Sequence, residues 1–151
     1  MTALALPAGY RLTEDPTEID VAAAYAFLTG SYWAKGISLE TVTAAIAGSL
    51  CVAVFHEGRQ VGLVRVITDF ATTAYLTDVY VLDAHRGHGL ASAMLGYLQA
   101  HPRLQGLRRW MLFTLDAQPL YAEAGWNVYP HPERVMVRDD PNIYSRTSIS
   151  Q

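Results

Sequence analysis

A single cysteine, Cys51, stands in this 151-residue sequence, and lysine is almost absent, with Lys35 the only one. One cysteine excludes an internal disulfide framework. Cys51 lies in the apolar run Leu50 to Phe55 and reads as a small buried hydrophobe rather than a nucleophile. The net charge is −3, so the basic surface of a general nucleic-acid binder is missing. No apolar run is long enough for a membrane span. The opening Met1-Thr2-Ala3-Leu4-Ala5-Leu6 carries no Lys or Arg, and its apolar stretch is too short for a secretory leader. A cytoplasmic location, with neither nucleic acid nor membrane as partner, is the expectation. Five histidines and one cysteine show no metal-ligand spacing, so no metal is expected. His101 and His131 each adjoin a proline and read as surface loop residues.

What is present suits one globular domain over residues 1–151. Hydrophobic residues make up 51% of the chain and charged residues 17%, a balance that allows a buried core without disordered tracts. Tyr10 to Leu12 reads as a short strand. Asp20 to Leu28 is apolar at helical spacing, and Gly30 stops it. Ser38 can cap a second helix, Leu39 to Ala47, ended by Gly48. Between them lies a loop carrying Tyr32 and Trp33. Leu50 to His56 and Gln60 to Thr68 flank Glu57-Gly58, a hairpin signal. Asp69 to Thr72 is a further turn, followed by a strand from Ala74 to Leu82.

After Asp83 the period changes. Leu90, Met94, Leu95 and Leu98 mark an amphipathic helix that Pro102 ends. Leu107 to Leu115 reads as a central strand, Ala117 to Ala124 as a short helix ended by Gly125. Trp126 to Tyr129 and Arg134 to Arg138 read as a closing pair of strands, and the tail after Asp139 as loop. The order implies a mixed α/β (α+β) domain with a meander of antiparallel strands.

The stretch Thr77 to Ala91 carries the chemistry. A strand runs through a loop containing Gly87 and Gly89 straight into a helix N-terminus. Free backbone N–H groups and the helix dipole make such a junction an anion site. Arg86 and His88 add donors. A dinucleotide loop would want a third glycine or alanine where Ser92 stands and an acid about 20 residues on; neither is present. The Gly-Lys-Ser/Thr of a nucleoside-triphosphate loop is also absent.

Arg86-Gly87-His88-Gly89-Leu90-Ala91 resembles the Arg/Gln-x-x-Gly-x-Gly/Ala signature of the GNAT (GCN5-related) N-acetyltransferases. Asp78-Val79-Tyr80-Val81 looks like the fourth strand of that family. Leu120-Tyr121-Ala122-Glu123-Ala124-Gly125-Trp126 is similar to its Leu-Tyr-x-x-x-Gly-Phe element, with Trp for Phe. The element order matches from Tyr10 to Arg138.

The resemblance implies the GNAT fold: a mixed, mostly antiparallel sheet, helices on both faces, and a strand splay at the acyl-CoA site. It implies acetyl-CoA as acyl donor, held at the pyrophosphate by Arg86, Gly87, His88, Gly89, Leu90, Ala91 and Ser92. The pantetheine arm would pair with Val79, Tyr80 and Val81. Where the family often has Asn seven positions before the tyrosine, this chain has Thr114; Asp116 is the nearest polar candidate for a cofactor contact. Tyr121 is the implied acid for the leaving thiolate. Asp78 is either a general base or a carboxylate satisfied by a nearby backbone group or Arg. Tyr32 and Trp33 either border the acceptor pocket or join two helices. The expected reaction is direct acetyl transfer to a primary amine, with a small-molecule acceptor favoured because no recognition domain is appended. A non-catalytic acyl-CoA-binding module and a protein or peptide N-acetyltransferase are the alternatives. Monomer and homodimer both remain open.

Overall fold

The computed structural model describes residues 6–149; Met1 to Ala5, most of the opening stretch judged too short for a leader, lie outside the described residues. Five strands form one sheet in the order β1-β2-β3-β4-β5. They are β1 (Tyr10–Thr13), β2 (Leu50–His56), β3 (Arg59–Thr68), β4 (Thr73–Val81) and β5 (Arg109–Met111). The first four pair antiparallel in chain order, and β5 joins β4 in parallel, so the sheet is mixed.

Local chemistry sets most of these elements. Helix α1 (Val21–Leu28) begins where Asp20 accepts a hydrogen bond from Ala23 N–H. Helix α2 (Leu39–Ala47) begins where Ser38 accepts from Thr41 N–H. Each side chain satisfies an N–H left orphaned by the first helical turn. The β2–β3 hairpin turns through Glu57 (φ 50) and Gly58 (φ 79). Two positive φ values in a two-residue loop match the twist of the flanking strands. Asp69 closes the β3–β4 turn by accepting from the N–H groups of Ala71 and Thr72.

Strand β2 is buried on both faces, so the sheet separates two apolar layers. Val52, Val54, Val64, Val66 and Val81 pack with Leu90, Met94 and Leu98 of α3 (Leu90–Gln99). Cys51, Ala53, Phe55, Leu63 and Tyr80 pack on the other face with Ala24, Leu28 and Val42 of α1 and α2. Burial pushes the Cys51 thiol up to about 11, which leaves it inert at neutral pH. Gly62 marks the tightest point. A Cβ there would stand 2.7 Å from Val54 Cγ1 and 2.9 Å from the Tyr80 carbonyl oxygen.

The structure differs from the sequence expectation at four places. The strand read over Leu107 to Leu115 as central is paired only at Arg109–Met111 and lies at the sheet edge. Leu107, Trp110 and Leu112 pack against the core cluster that holds residues of α3 and Tyr121 of α4 (Gln118–Glu123), while Met111, Phe113 and Leu115 are exposed. Neither Trp126 to Tyr129 nor Arg134 to Arg138 forms a strand; Pro132–Arg134 is a 3-10 turn, because two prolines at 130 and 132 lack the N–H a ladder needs. The tail is a helix, α5 (Ile143–Ile149), rather than loop. His101 is buried, held by Glu14 at 2.9 Å, and is no surface residue.

Candidate active site

Strand β4 is longer than its parallel partner. Thr73, Ala74 and Tyr75 face Arg109, Trp110 and Met111, and beyond Tyr75 the two chains separate. The opening is a cleft of ≈ 730 Å³, walled by Leu76 to Val81 of β4 on one side and Leu112 to Ala117 on the other.

A β-bulge shapes the β4 wall. Arg65 faces Thr77 and Leu63 faces Tyr80, so Asp78 and Val79 together oppose Val64. Asp78 takes φ +54, a left-handed value that Asp tolerates better than most residues. Such a bulge bends the strand and redirects its backbone groups. Both Asp78 oxygens are engaged. Oδ2 accepts from Arg65 Nε at 2.8 Å, and Oδ1 accepts from Trp33 Nε1 at 2.9 Å. Arg65 also donates to Ser49 Oγ at 3.0 Å. The Asp78 and Arg65 side chains keep only 10% and 15% of their exposure, so the pair is largely desolvated and needs both members.

The loop between α1 and α2 forms one end of the cleft. Tyr32 and Trp33 meet edge to face at 5.1 Å, and both line the cleft. Behind them Phe27 stacks on Tyr80 at 4.0 Å. Gln60 spends its amide on the backbone of Asp20, accepting at 2.8 Å and donating at 3.0 Å. Among the described residues the Tyr80 hydroxyl is left buried with no hydrogen-bond partner. Burial pushes that phenol up to about 12, moderated by the nearby Gln60 amide.

Tyr121 comes from α4, whose entry is fixed by Thr114 Oγ1 accepting from Ala117 N–H at 3.0 Å. Its ring packs in the core beside Trp126, with centroids 5.8 Å apart, while the residue lines the cleft. Its hydroxyl makes no hydrogen bond among the described residues and is not sealed from solvent. Burial raises its pKa, and the phenol of Tyr32 adds to the rise. At neutral pH the group therefore carries its proton.

Arg86 and Ala91, on either side of the glycines, bring the glycine loop beside the cleft. Arg86 lines the cleft, pairs with Asp83 at 2.8 Å and donates to the Val81 carbonyl at 3.2 Å. Gly87 (φ +83) and Gly89 (φ +72) have open space where a Cβ would stand. None of the backbone N–H groups from Gly87 to Ser92 finds an acceptor among the described residues. That row of free donors at the start of a ten-residue helix is an anion site.

Of the residues singled out from the sequence, Tyr32, Trp33, Asp78, Val79, Tyr80, Val81, Arg86, Ala91, Asp116 and Tyr121 all line one cleft. Gly87, His88, Gly89, Leu90 and Ser92 do not; the Leu90 side chain is core, so only its backbone can serve a ligand. Sequence reading missed Arg65, Ser49, Phe27, Phe113 and Leu115. A lone Arg inside the apolar run of β3, one strand from an equally lone Asp, was the signal for the first.

The profile of the Acetyltransferase (GNAT) family matches residues 13–126. The chain belongs to the GNAT acetyltransferase family. A candidate acetyltransferase of Gibberella zeae is 34% identical over 76% of each chain. The crystal structure of a candidate GNAT-family acetyltransferase from Xanthomonas campestris pv. campestris is 43% identical, covers 93% of this chain and 99% of its own, and superposes with a TM-score of 0.89. A predicted acetyltransferase from Clostridium acetobutylicum, solved with acetyl-CoA, shares the fold at a TM-score of 0.63 and 16% identity over 85% of this chain and 94% of its own. The GNAT fold and acetyltransferase activity of GNAT type follow from these relations. Among the described residues no group of three or more His, Cys, Asp or Glu is placed to hold a metal ion, and no helix is long and apolar enough to cross a membrane.

Proposed function

We propose that this chain transfers an acetyl group from acetyl-CoA directly to a primary amine of a small molecule, as a single domain over residues 1–151 working in the cytoplasm. The observation that carries the reading is the splay of β4 from β5, with a free-donor loop at one end and a tyrosine proton in the wall.

The site suits the donor. Free N–H groups from Gly87 to Ser92, with Arg86 and His88 beside them, match a pyrophosphate. The edge of β4 at Val79, Tyr80 and Val81 lacks a partner strand and can take an extended amide-bearing arm as a strand would be taken. Asp116 lies on the facing wall, in reach of the same arm. A relative of the same fold solved with acetyl-CoA supports this choice. When bound, acetyl-CoA supplies an activated thioester.

The chain's own residues supply the rest. A backbone N–H at Val79 or beside it, turned by the bulge, polarises the carbonyl oxygen. Tyr121 holds a proton at Oη for the departing thiolate. Tyr32 and Trp33 border the acceptor, and an aromatic-walled pocket favours a small amine over a folded protein. Asp78 accepts from two side chains already, so we assign it to holding the bulge and the loop, with water receiving the amine proton.

Thiol release from acetyl-CoA, measured against amino acids, polyamines, other small amines and peptides, tests the reading. Amine-dependent release with an acetylated small product is expected. CoA binding without release for any amine would make the chain a binding module, and release with peptides alone would make it a peptide N-acetyltransferase.

A further inference from the structure

Aromatic rings gather on the walls of the cleft from four parts of the chain: Phe27 of α1, Tyr32 and Trp33 of the loop after it, Tyr75 of β4, and Phe113 just past β5. Ring centroids lie 5.1 Å apart for Tyr32 and Trp33, 6.0 Å for Phe27 and Trp33, and 6.0 Å for Tyr75 and Phe113. Trp33 is held in place by its Nε1 bond to Asp78. Tyr32 and Phe113 keep 64% and 61% of their exposure, so much of each ring is open to a ligand. Tyr32 also reaches Tyr121, whose pKa burial raises first and the Tyr32 phenol raises further. The rings therefore border the tyrosine assigned to the leaving thiolate.

Charges on the same walls are few and mostly committed. Among the described residues Asp78, Arg86 and Asp116 line the cleft. Both Asp78 oxygens are taken, by Arg65 and by Trp33. Arg86 is paired with Asp83 beside the glycine loop. Lys35, two residues from Trp33, does not line the cleft. A carboxylate on the acceptor would thus meet two aspartates and no uncommitted cation, and like charges set together in a binding site are costly. A single ammonium is in the converse position, because aromatic faces attract it. The rings also offer an aromatic body stacked or edge-to-face contact, where a second ammonium in its place would lose its water.

We propose that the acceptor is a monoamine whose primary amine sits on a short chain ending in an aromatic ring, with no carboxylate, and that Tyr32 and Phe113 select it; this rests on the amine-acetylation reading above. The acceptor's ring lies among Tyr32, Trp33 and Phe113, and its amine points toward β4 and Tyr121. The neutral nitrogen forms a bond to the thioester carbon. The C–S bond breaks with its electron pair going to sulfur, and Tyr121 gives its proton to that sulfur. The surplus proton on nitrogen passes to water, and Tyr121 is reprotonated from water. The products are the acetamide of the acceptor and CoA thiol.

Four probes with acetyl-CoA test this: phenethylamine, phenylalanine, hexylamine and putrescine. Phenylalanine differs from phenethylamine only by its carboxylate, and its kcat/KM should be lower by about 10²-fold. Hexylamine lacks the ring and should be lower by about tenfold; putrescine, with two ammonium groups, should be lower still. Tyr32→Leu with Phe113→Leu changes two exposed rings and keeps apolar bulk. That variant should bring phenethylamine down to the level of hexylamine with the acetyl-CoA KM near wild type, and Tyr32→Phe should keep the preference. Thiol release with none of the amines would remove the acetylation reading and this proposal with it. Release in which phenylalanine, hexylamine or putrescine equals or exceeds phenethylamine would leave that reading standing and overturn the aromatic class. A folded double variant that keeps the full preference for phenethylamine would overturn the role of the two rings.

Discussion

Trp33 Nε1 donates to Asp78 Oδ1 at 2.9 Å, joining the loop after α1 to the β4 bulge across forty-five residues of sequence. The other Asp78 oxygen is held by Arg65. One carboxylate thus ties the α1–α2 loop, the bulge and β3 together, and the bulge is what aims the β4 backbone into the cleft.

Asp78→Asn keeps the shape and the left-handed backbone but removes the charge beside a buried Arg65. It should cost about 1–3 kcal/mol of stability, read by thermal or urea unfolding. Trp33→Phe, which keeps a ring and loses the donor, should raise the acceptor KM while the acetyl-CoA KM stays near wild type. If Asp78→Asn instead keeps its stability and loses kcat with a shifted acid limb of the pH profile, Asp78 is the base.

Tyr121→Phe keeps the packing against Trp126 and removes only the acidic proton. A thiol has a pKa near 8.5, so a thiolate leaves without much help, and the expected loss in kcat is about 10²-fold, the low end for general acid catalysis. The acetyl-CoA KM should move less than kcat. Because burial raises the phenol's pKa, its proton is present throughout the neutral range and lost only on the alkaline side, above the ordinary tyrosine value. Wild-type kcat in the Phe variant, where chemistry limits the rate, would return Tyr121 to a packing role.

Gly89→Val fills the open space over the α3 N-terminus that a pyrophosphate would use. The position has φ +72, so a β-branched residue also brings strain of about 1–2 kcal/mol. Calorimetry with CoA should show binding lost in a protein that still unfolds cooperatively, at a lower midpoint. Unchanged affinity would remove the loop from the site.

Glu14 accepts from Tyr97 at 2.7 Å and meets His101 at 2.9 Å. The Tyr97 hydrogen bond is the main cause of its lowered pKa, and the same bond raises Tyr97 to about 12. A depressed carboxylate stabilises the fold above its unfolded pKa and loses that contribution as pH falls through the folded value. Acid unfolding of wild type should therefore steepen below about pH 4.5, and Glu14→Gln should flatten that limb. Equal acid limbs in the two proteins would show that the Glu14 contacts carry no stability.

The sequence by itself determined the elements whose causes are local. Asp20 and Ser38 cap helices within three residues of themselves, Glu57-Gly58 turns a hairpin, and the Gly87–Ser92 loop makes its donors from its own backbone. The two motifs, Arg86 to Ala91 and Leu120 to Trp126, are local in the same sense, which is why the family and the candidate donor site were legible. What depended on partners far along the chain was not. Leu107 to Leu115 is as apolar as a central strand, and only the parallel pairing at Arg109–Met111 makes it an edge. Trp126 to Tyr129 and Arg134 to Arg138 have strand composition, but a strand exists only where another strand offers its N–H and C=O groups. Asp78 read alone is a buried carboxylate with several possible uses. Arg65, one strand away, and Trp33, forty-five residues away, settle which groups its oxygens face, because a charge in an apolar layer is stable only where folding delivers its counter-charge.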